Sequence, residues 1–226
     1  MAVPVPDLPV PNDDPQHPAA GAVAARHPGL ATVLEHPALV RFAAPLPGSE
    51  PTVGWSLTAL RGRLAELSPG RRPAVLSAAV ALVRQAQVAG EPVAWVATGP
   101  DLFHAPDVAA CGVDLAALPV VRVDAAAAAG RAADLLLRSG AFGLVVVDLG
   151  REATFAVPLQ SRLVQLARRH EAAVLCLTAT PEGQPSLGSL VSLRAAASWR
   201  RLGSGRYACT VTALKDKRQG PGWRWE

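Results

Sequence analysis

From Arg61 onward the chain alternates short apolar runs with stretches of helical periodicity, and few architectures accept that alternation. Apolar runs at 64–67, 93–97, 120–123, 144–148 and 173–178 are separated by helix-like stretches at 74–88, 106–111, 125–139 and 159–169. Strands joined through helices run parallel, because each crossover returns the chain to the same end of the sheet. Runs such as Leu144-Val145-Val146-Val147 show no polar alternation and suit strands covered on both faces. The chain end differs. Residues 198–202, a Gly203-Ser204-Gly205 turn and residues 206–214 read as a β-hairpin added to the sheet. The expected fold is α/β, a three-layer core with a mainly parallel sheet and a C-terminal β-hairpin.

Proline density sets the domain limits. Residues 1–51 hold eleven of the 21 prolines, too many for a helix or a central strand to propagate. Residues 1–20 are expected to be disordered or polyproline-like, and 21–51 loosely structured with a short helix near 31–35. The expected organisation is a Pro-rich arm at 1–51, a core at 52–220 and a C-terminal tail at 221–226. The 226 residues suffice for one such core plus its extensions. Half the residues are apolar and 18% charged, which excludes a wholly disordered chain. No apolar stretch approaches 18 residues, and the N-terminus has no secretory pattern. Cys111, Cys176 and Cys209 lie far apart in apolar runs, without zinc spacing or a disulfide framework. A cytoplasmic, reducing location is expected.

Charge is distributed unevenly. Residues 1–150 hold 10 basic and 13 acidic side chains, whereas 151–226 hold 12 and 5. The basic C-terminal third either seeks an acidic partner or is merely solvated; patterning alone leaves both open. Arg168, Arg169, Arg200, Arg201 and Arg206 are candidates for a basic face that binds nucleic acid weakly through phosphates. Only two of the 22 basic residues are lysine, Lys215 and Lys217. Trp223 and Trp225 flank Arg224 beyond Gly220-Pro221-Gly222, a hinge expected to end the last strand. These three either anchor a protein partner, leaving the core indifferent to their removal, or fold back onto it.

Ligands of open α/β sheets sit beyond the C-terminal ends of strands. The first such end reads Ser68-Pro69-Gly70-Arg71-Arg72-Pro73-Ala74-Val75-Leu76. A phosphate loop needs glycines to turn backbone N–H groups inward, a Lys for charge and a Ser or Thr for magnesium. Here Pro69 and Pro73 flank the single Gly70, and Val75-Leu76 occupy the positions of the required polar groups. Asp148 closes an apolar strand in the manner of a Walker-B magnesium ligand, although an aspartate there also commonly caps a turn. The five histidines form no catalytic set, and no metal cluster or nucleophile elbow is present in the sequence. No catalytic residue, metal or cofactor is expected.

Read in order, several pieces resemble the RecA ATPase core across residues 61–221. They are Gly62-Arg63-Leu64-Ala65-Glu66-Leu67, Ala89-Gly90-Glu91-Pro92-Val93, Gly112-Val113-Asp114, Leu137-Arg138-Ser139-Gly140-Ala141, Val145-Val146-Val147-Asp148 and Leu214-Lys215-Asp216-Lys217. The departures fall on the chemistry. Ala74-Val75-Leu76 stand in place of Gly-Lys-Thr, Gly99 in place of the catalytic Glu, and Ala179 or Thr180 in place of the γ-phosphate-sensing Gln. Segment 181–190, matching the second DNA loop, has no basic or aromatic residue, and too few residues follow Asp148 for the first.

A short RecA-like chain without a phosphate loop is similar to the ImuA family of mutasome accessory proteins, relatives of SulA-type division inhibitors. That resemblance implies a non-catalytic role in SOS-induced translesion synthesis, with ImuB and RecA as partners and an error-prone replicative-type polymerase engaged indirectly. It also implies that Lys215 and Lys217 match lysines that reach a neighbouring subunit's ATP in RecA filaments, so that the chain would cap such a filament; alternatively both are solvated. The other readings are a SulA-like inhibitor of cell division and a weak RecA-family ATPase with Asp148 on magnesium.

Overall fold

The central strand is β1, Arg63–Pro69, whose first six residues are all buried. It belongs to a computed structural model that describes residues 54–99, 103–150, 154–203 and 205–226. The Pro-rich segment 1–51, with its expected helix near 31–35, lies outside the described residues. Ser56 caps the short helix α1 (Leu57–Leu60) by accepting from the Ala59 amide at 3.2 Å. After β1 come α2 (Val75–Val88), β2 (Val93–Ala97), α3 (Ala105–Ala110) and β3 (Val120–Arg122). Then follow α4 (Ala126–Ser139), β4 (Leu144–Asp148), α5 (Val157–Arg169) and β5 (Ala173–Leu177). The chain ends with β6 (Leu193–Gly203), β7 (Arg206–Asp216) and β8 (Arg224–Trp225). Among the described residues no helix is long and apolar enough to cross a membrane.

These strands form one sheet in the order β3-β2-β4-β5-β1-β6-β7-β8. β1 to β6 pair in parallel, and β7 and β8 add antiparallel. The strand–helix alternation therefore folds as expected. Successive residues of a strand face opposite sides, so each central strand feeds two cores. Trp95, Val146 and Leu175 pack with Leu82 and Val83 of α2 on one face. Leu64, Val145 and Val174 pack with Leu137 of α4 and Leu163 of α5 on the other. β2, β4 and β5 are buried throughout, as strands covered on both faces must be.

Two regions differ from expectation. The hairpin exists, but β6 begins at Leu193, and its first half is a parallel neighbour of β1. Leu193-Arg194-Ala195-Ala196-Ala197 gave no strand signal because alanine has little strand preference and Arg breaks the apolar run.

The tail is not a free appendage. Arg224 and Trp225 pair with Thr212 and Val211 of β7. Ala213 donates its amide to the Trp223 carbonyl at 2.9 Å, and the Trp223 indole Nε1 donates to Asp216 Oδ2 at 3.0 Å. Gly220 and Gly222, with φ of 81° and 96°, turn the chain back toward β7 instead of releasing it. Within the expected tail at 221–226, Arg224 and Trp225 thus form the edge strand of the sheet instead of a free extension.

Candidate functional site

At the carboxyl ends of the central strands, the loop after β1 is closed onto β6. Gly70 and Ala74 both donate their amides to the Ala197 carbonyl, at 3.0 and 3.2 Å, and Trp199 donates to the Arg72 carbonyl at 2.7 Å. Pro73 bridges Ser198. Two N–H groups of this loop, those of Gly70 and Ala74, are thereby satisfied within the protein and not turned toward a ligand. A Cβ on Gly70 would lie 2.0 Å from Ser198 Oγ, so side-chain atoms already occupy the space beside the glycine. Ala74 caps α2 without a side-chain hydrogen bond. Val75 packs against the core and Leu76 is half-exposed, so neither offers charge or a metal ligand.

Asp148 ends β4, which β5 separates from β1 in the sheet, and it lies on the face that α2 covers, since Val146 two residues earlier belongs to that core. It is only 4% exposed. Oδ1 accepts the Gly150 amide at 3.3 Å, while Oδ2 has no partner among the described residues. Thr98 donates both its amide and its hydroxyl to the Asp148 carbonyl at 3.0 Å, fixing the backbone but not the carboxylate. Burial raises the Asp148 carboxyl to about 6, against a smaller lowering from the Gly150 amide.

The pH sign follows. A carboxyl whose folded pKa is raised contributes stability that is full below its unfolded value of 3.8 and lost as pH rises through about 6. A shift of roughly two units corresponds to about 3 kcal/mol. Asp148→Asn retains the size without the charge, although its amide also needs a partner. It is expected to be about 1–2 kcal/mol more stable than wild type at pH 7.5, with the difference vanishing near pH 4. Urea melts of the two proteins across that range check this. A loss of stability at pH 7.5 would show that the carboxylate is held by contacts that favour its charge.

Sequence reading missed the charged pair that dominates the neighbouring loop. Glu66, fully buried in β1, accepts from Thr178 Oγ1 at 3.0 Å, Ser186 Oγ at 2.5 Å and the Leu187 amide at 2.9 Å. Arg194 of β6 lies 3.7 Å away and donates to the carbonyls of Gln184 (2.5 Å), Pro181 (2.8 Å) and Thr180 (3.4 Å). Together they pin residues 178–187 to the sheet. The available signal was a lone charge inside each of two apolar strands, with opposite signs. A second pair joins Arg63 and Asp216 at 2.5 Å, both almost wholly buried. Burial pushes the Asp216 carboxyl up. Hydrogen bonds from Arg63, the Arg218 amide and the Trp223 indole, together with the Arg63 charge, outweigh burial and leave it below its ordinary value.

The five candidate arginines do not form one face. Arg168 and Arg169 end α5 near Gly62, at the amino end of β1. Arg200, Arg201 and Arg206 lie on the hairpin beyond Ala197, which pairs with Pro69 at the carboxyl end of β1. β1 separates the two groups along its length, and Arg200 is paired with Glu226 at 2.5 Å. Lys215 is half-buried opposite Arg194, and burial followed by the Lys217 charge lowers its pKa. Lys217 is exposed, and its ammonium donates to the Ser189 carbonyl at 2.9 Å. Of the tail residues, Arg224 is exposed, while Trp223 and Trp225 pack against the core. The three cysteines are free thiols; burial pushes Cys209 up to about 12 and Cys176 higher still, so neither is nucleophilic. The chain matches no protein-family model, and no curated protein is similar enough to count as a relative.

Proposed function

We propose that this protein is a non-catalytic, RecA-like accessory protein that acts in SOS-induced translesion synthesis through contacts with ImuB and RecA in the cytoplasm. The ordered series of RecA-like segments carries the family part of this reading. The observation that carries its non-catalytic part is the loop after β1, whose Gly70 and Ala74 amides are spent on Ala197. Segment 181–190 supports it too, since this matching DNA loop is pinned by Glu66 and Arg194 and offers no cation or aromatic ring. What remains for function is surface. One observation favours a second reading, a weak magnesium-dependent NTPase: Asp148 Oδ2 is buried and has no partner among the described residues.

Two measurements decide. Calorimetry with Mg–ATP is expected to show no binding at physiological nucleotide concentration. Co-purification of the tagged protein is expected to retain ImuB, and RecA when loaded with a slow ATP analogue. Micromolar Mg–ATP binding that Asp148→Asn abolishes would establish the second reading instead. Failure to retain either protein would remove the mutasome assignment.

A further inference from the structure

At the opposite end of the sheet, where the parallel strands begin, a cavity of about 250 Å³ opens between β1, α5 and the segment after β7. Arg63, Arg168, Lys217 and Arg218 line it, and among the described residues no carboxylate does. Among the described residues only Arg63 of these is neutralised, by Asp216 behind it. Arg218 is positioned by the carbonyls of Arg61 at 3.0 Å and Ala59 at 3.5 Å, and Lys217 by that of Ser189. Carbonyls orient a cation without cancelling its charge. The Arg168 guanidinium makes no hydrogen bond or ion pair among the described residues. Burial, followed by the charges of Arg63 and Arg168, lowers the Arg218 pKa against the pull of Asp216, which places these groups within range of one another. A cation at the C-terminus of α5 is ordinary dipole chemistry. That does not explain why Lys217 and Arg218 arrive from a different element on the same cavity.

We propose that this cavity docks an acidic peptide segment of a protein partner, one carboxylate entering among Arg168, Lys217 and Arg218. Two guanidinium forks and an ammonium suit an oxyanion. The remaining wall decides what carries it: Val164 and Leu190 are half-buried aliphatic groups that fit an apolar side chain beside the carboxylate. A nucleic-acid strand would call for a run of cations along a groove and aromatic faces for its bases. The cavity is a single concave spot without an aromatic residue in its lining. The inference stands apart from the accessory-protein reading, because it fixes the chemistry of the partner and not its name.

Fluorescence anisotropy of the full chain with a fluorescein-labelled peptide of aspartate and leucine residues tests it. Binding is expected to weaken with salt. Arg168→Ala and Lys217→Ala are each expected to weaken it about 10-fold, and Arg169→Ala, beside the cavity but outside its lining, to leave it unchanged. Melting curves of Arg168→Ala should lie within about 4 °C of wild type, since only a charge at the helix end is lost. Several outcomes overturn the proposal: no peptide binding at low salt, equal binding of an asparagine–leucine peptide, or undiminished binding by the Arg168→Ala/Lys217→Ala variant. Binding of a thymidine oligonucleotide or of inorganic phosphate that excludes the peptide assigns the cavity to phosphate and equally overturns it.

Discussion

Glu66→Leu is expected to cost about 3–5 kcal/mol of folding free energy, the range for removing one partner of a buried ion pair. Leucine fits the strand and its burial, so the loss comes from what remains. Arg194 keeps its carbonyls but loses its counter-charge, and Thr178, Ser186 and the Leu187 amide lose their acceptor. For a domain of this size the melting temperature should fall by roughly 6–20 °C. Segment 181–190, released from the sheet, should become the first site of limited proteolysis. Glu66→Leu/Arg194→Met should recover much of the loss, because matched apolar residues often replace a buried pair without cost. Equilibrium urea melts of the three variants measure all of this. A single-variant cost below about 1 kcal/mol, or strictly additive losses, would show that the pair is not the clamp described.

The second large effect centres on Asp216. Its carboxylate receives the Arg63 guanidinium, the Arg218 amide and the Trp223 indole. Asp216→Ala strands the Arg63 charge in the core and unties β8, so a loss of about 3–5 kcal/mol is expected. Its pH dependence opposes that of Asp148. A carboxyl held below its ordinary value contributes stability above the unfolded pKa of 3.8, lost as pH falls through the lower folded one. Wild type should therefore lose stability in acid below about pH 4, and Asp216→Ala should have a flatter acid limb. Deleting 221–226 removes only one of the three donors and should be less damaging than Asp216→Ala, though not neutral. Acid and urea melts distinguish these cases. An unaltered acid limb in Asp216→Ala would assign the acid sensitivity to other carboxylates.

The sequence was most legible where periodicity is local. Uninterrupted apolar runs such as 144–147 announce doubly covered strands, and the helices between them impose parallel crossovers whatever their order. Strand order is another matter, since nothing within 64–67 or 193–197 says that they pair. The Glu66–Arg194 contact joins residues over a hundred positions apart and exists only once β1 and β6 are in register. The same limit misled the reading of the arginines, which compositional clustering groups together and β1 holds apart. At the candidate site, the absence of Lys and Thr at 75 and 76 was plain from the residues. The closure of the loop was not, because it depends on a carbonyl of a strand that gave no strand signal. For Trp223, the Gly-Pro-Gly signal marked a turn correctly, but a turn does not reveal whether the chain after it leaves or returns.

The seam between the β1 loop and β6 has a consequence for any attempt to build a phosphate site there. Introducing charge chemistry by Val75→Lys and Leu76→Thr would leave the Gly70 and Ala74 amides still committed to Ala197, and Trp199 to Arg72. Opening that seam forfeits three backbone hydrogen bonds, about 2–4 kcal/mol at the usual net worth of each, before any phosphate has been contacted. Gain of nucleotide binding would therefore require simultaneous change at 197–199 and in the loop, with every single-step intermediate destabilised or inert. The closed loop acts as a latch, which side-chain changes at 75 and 76 alone do not open.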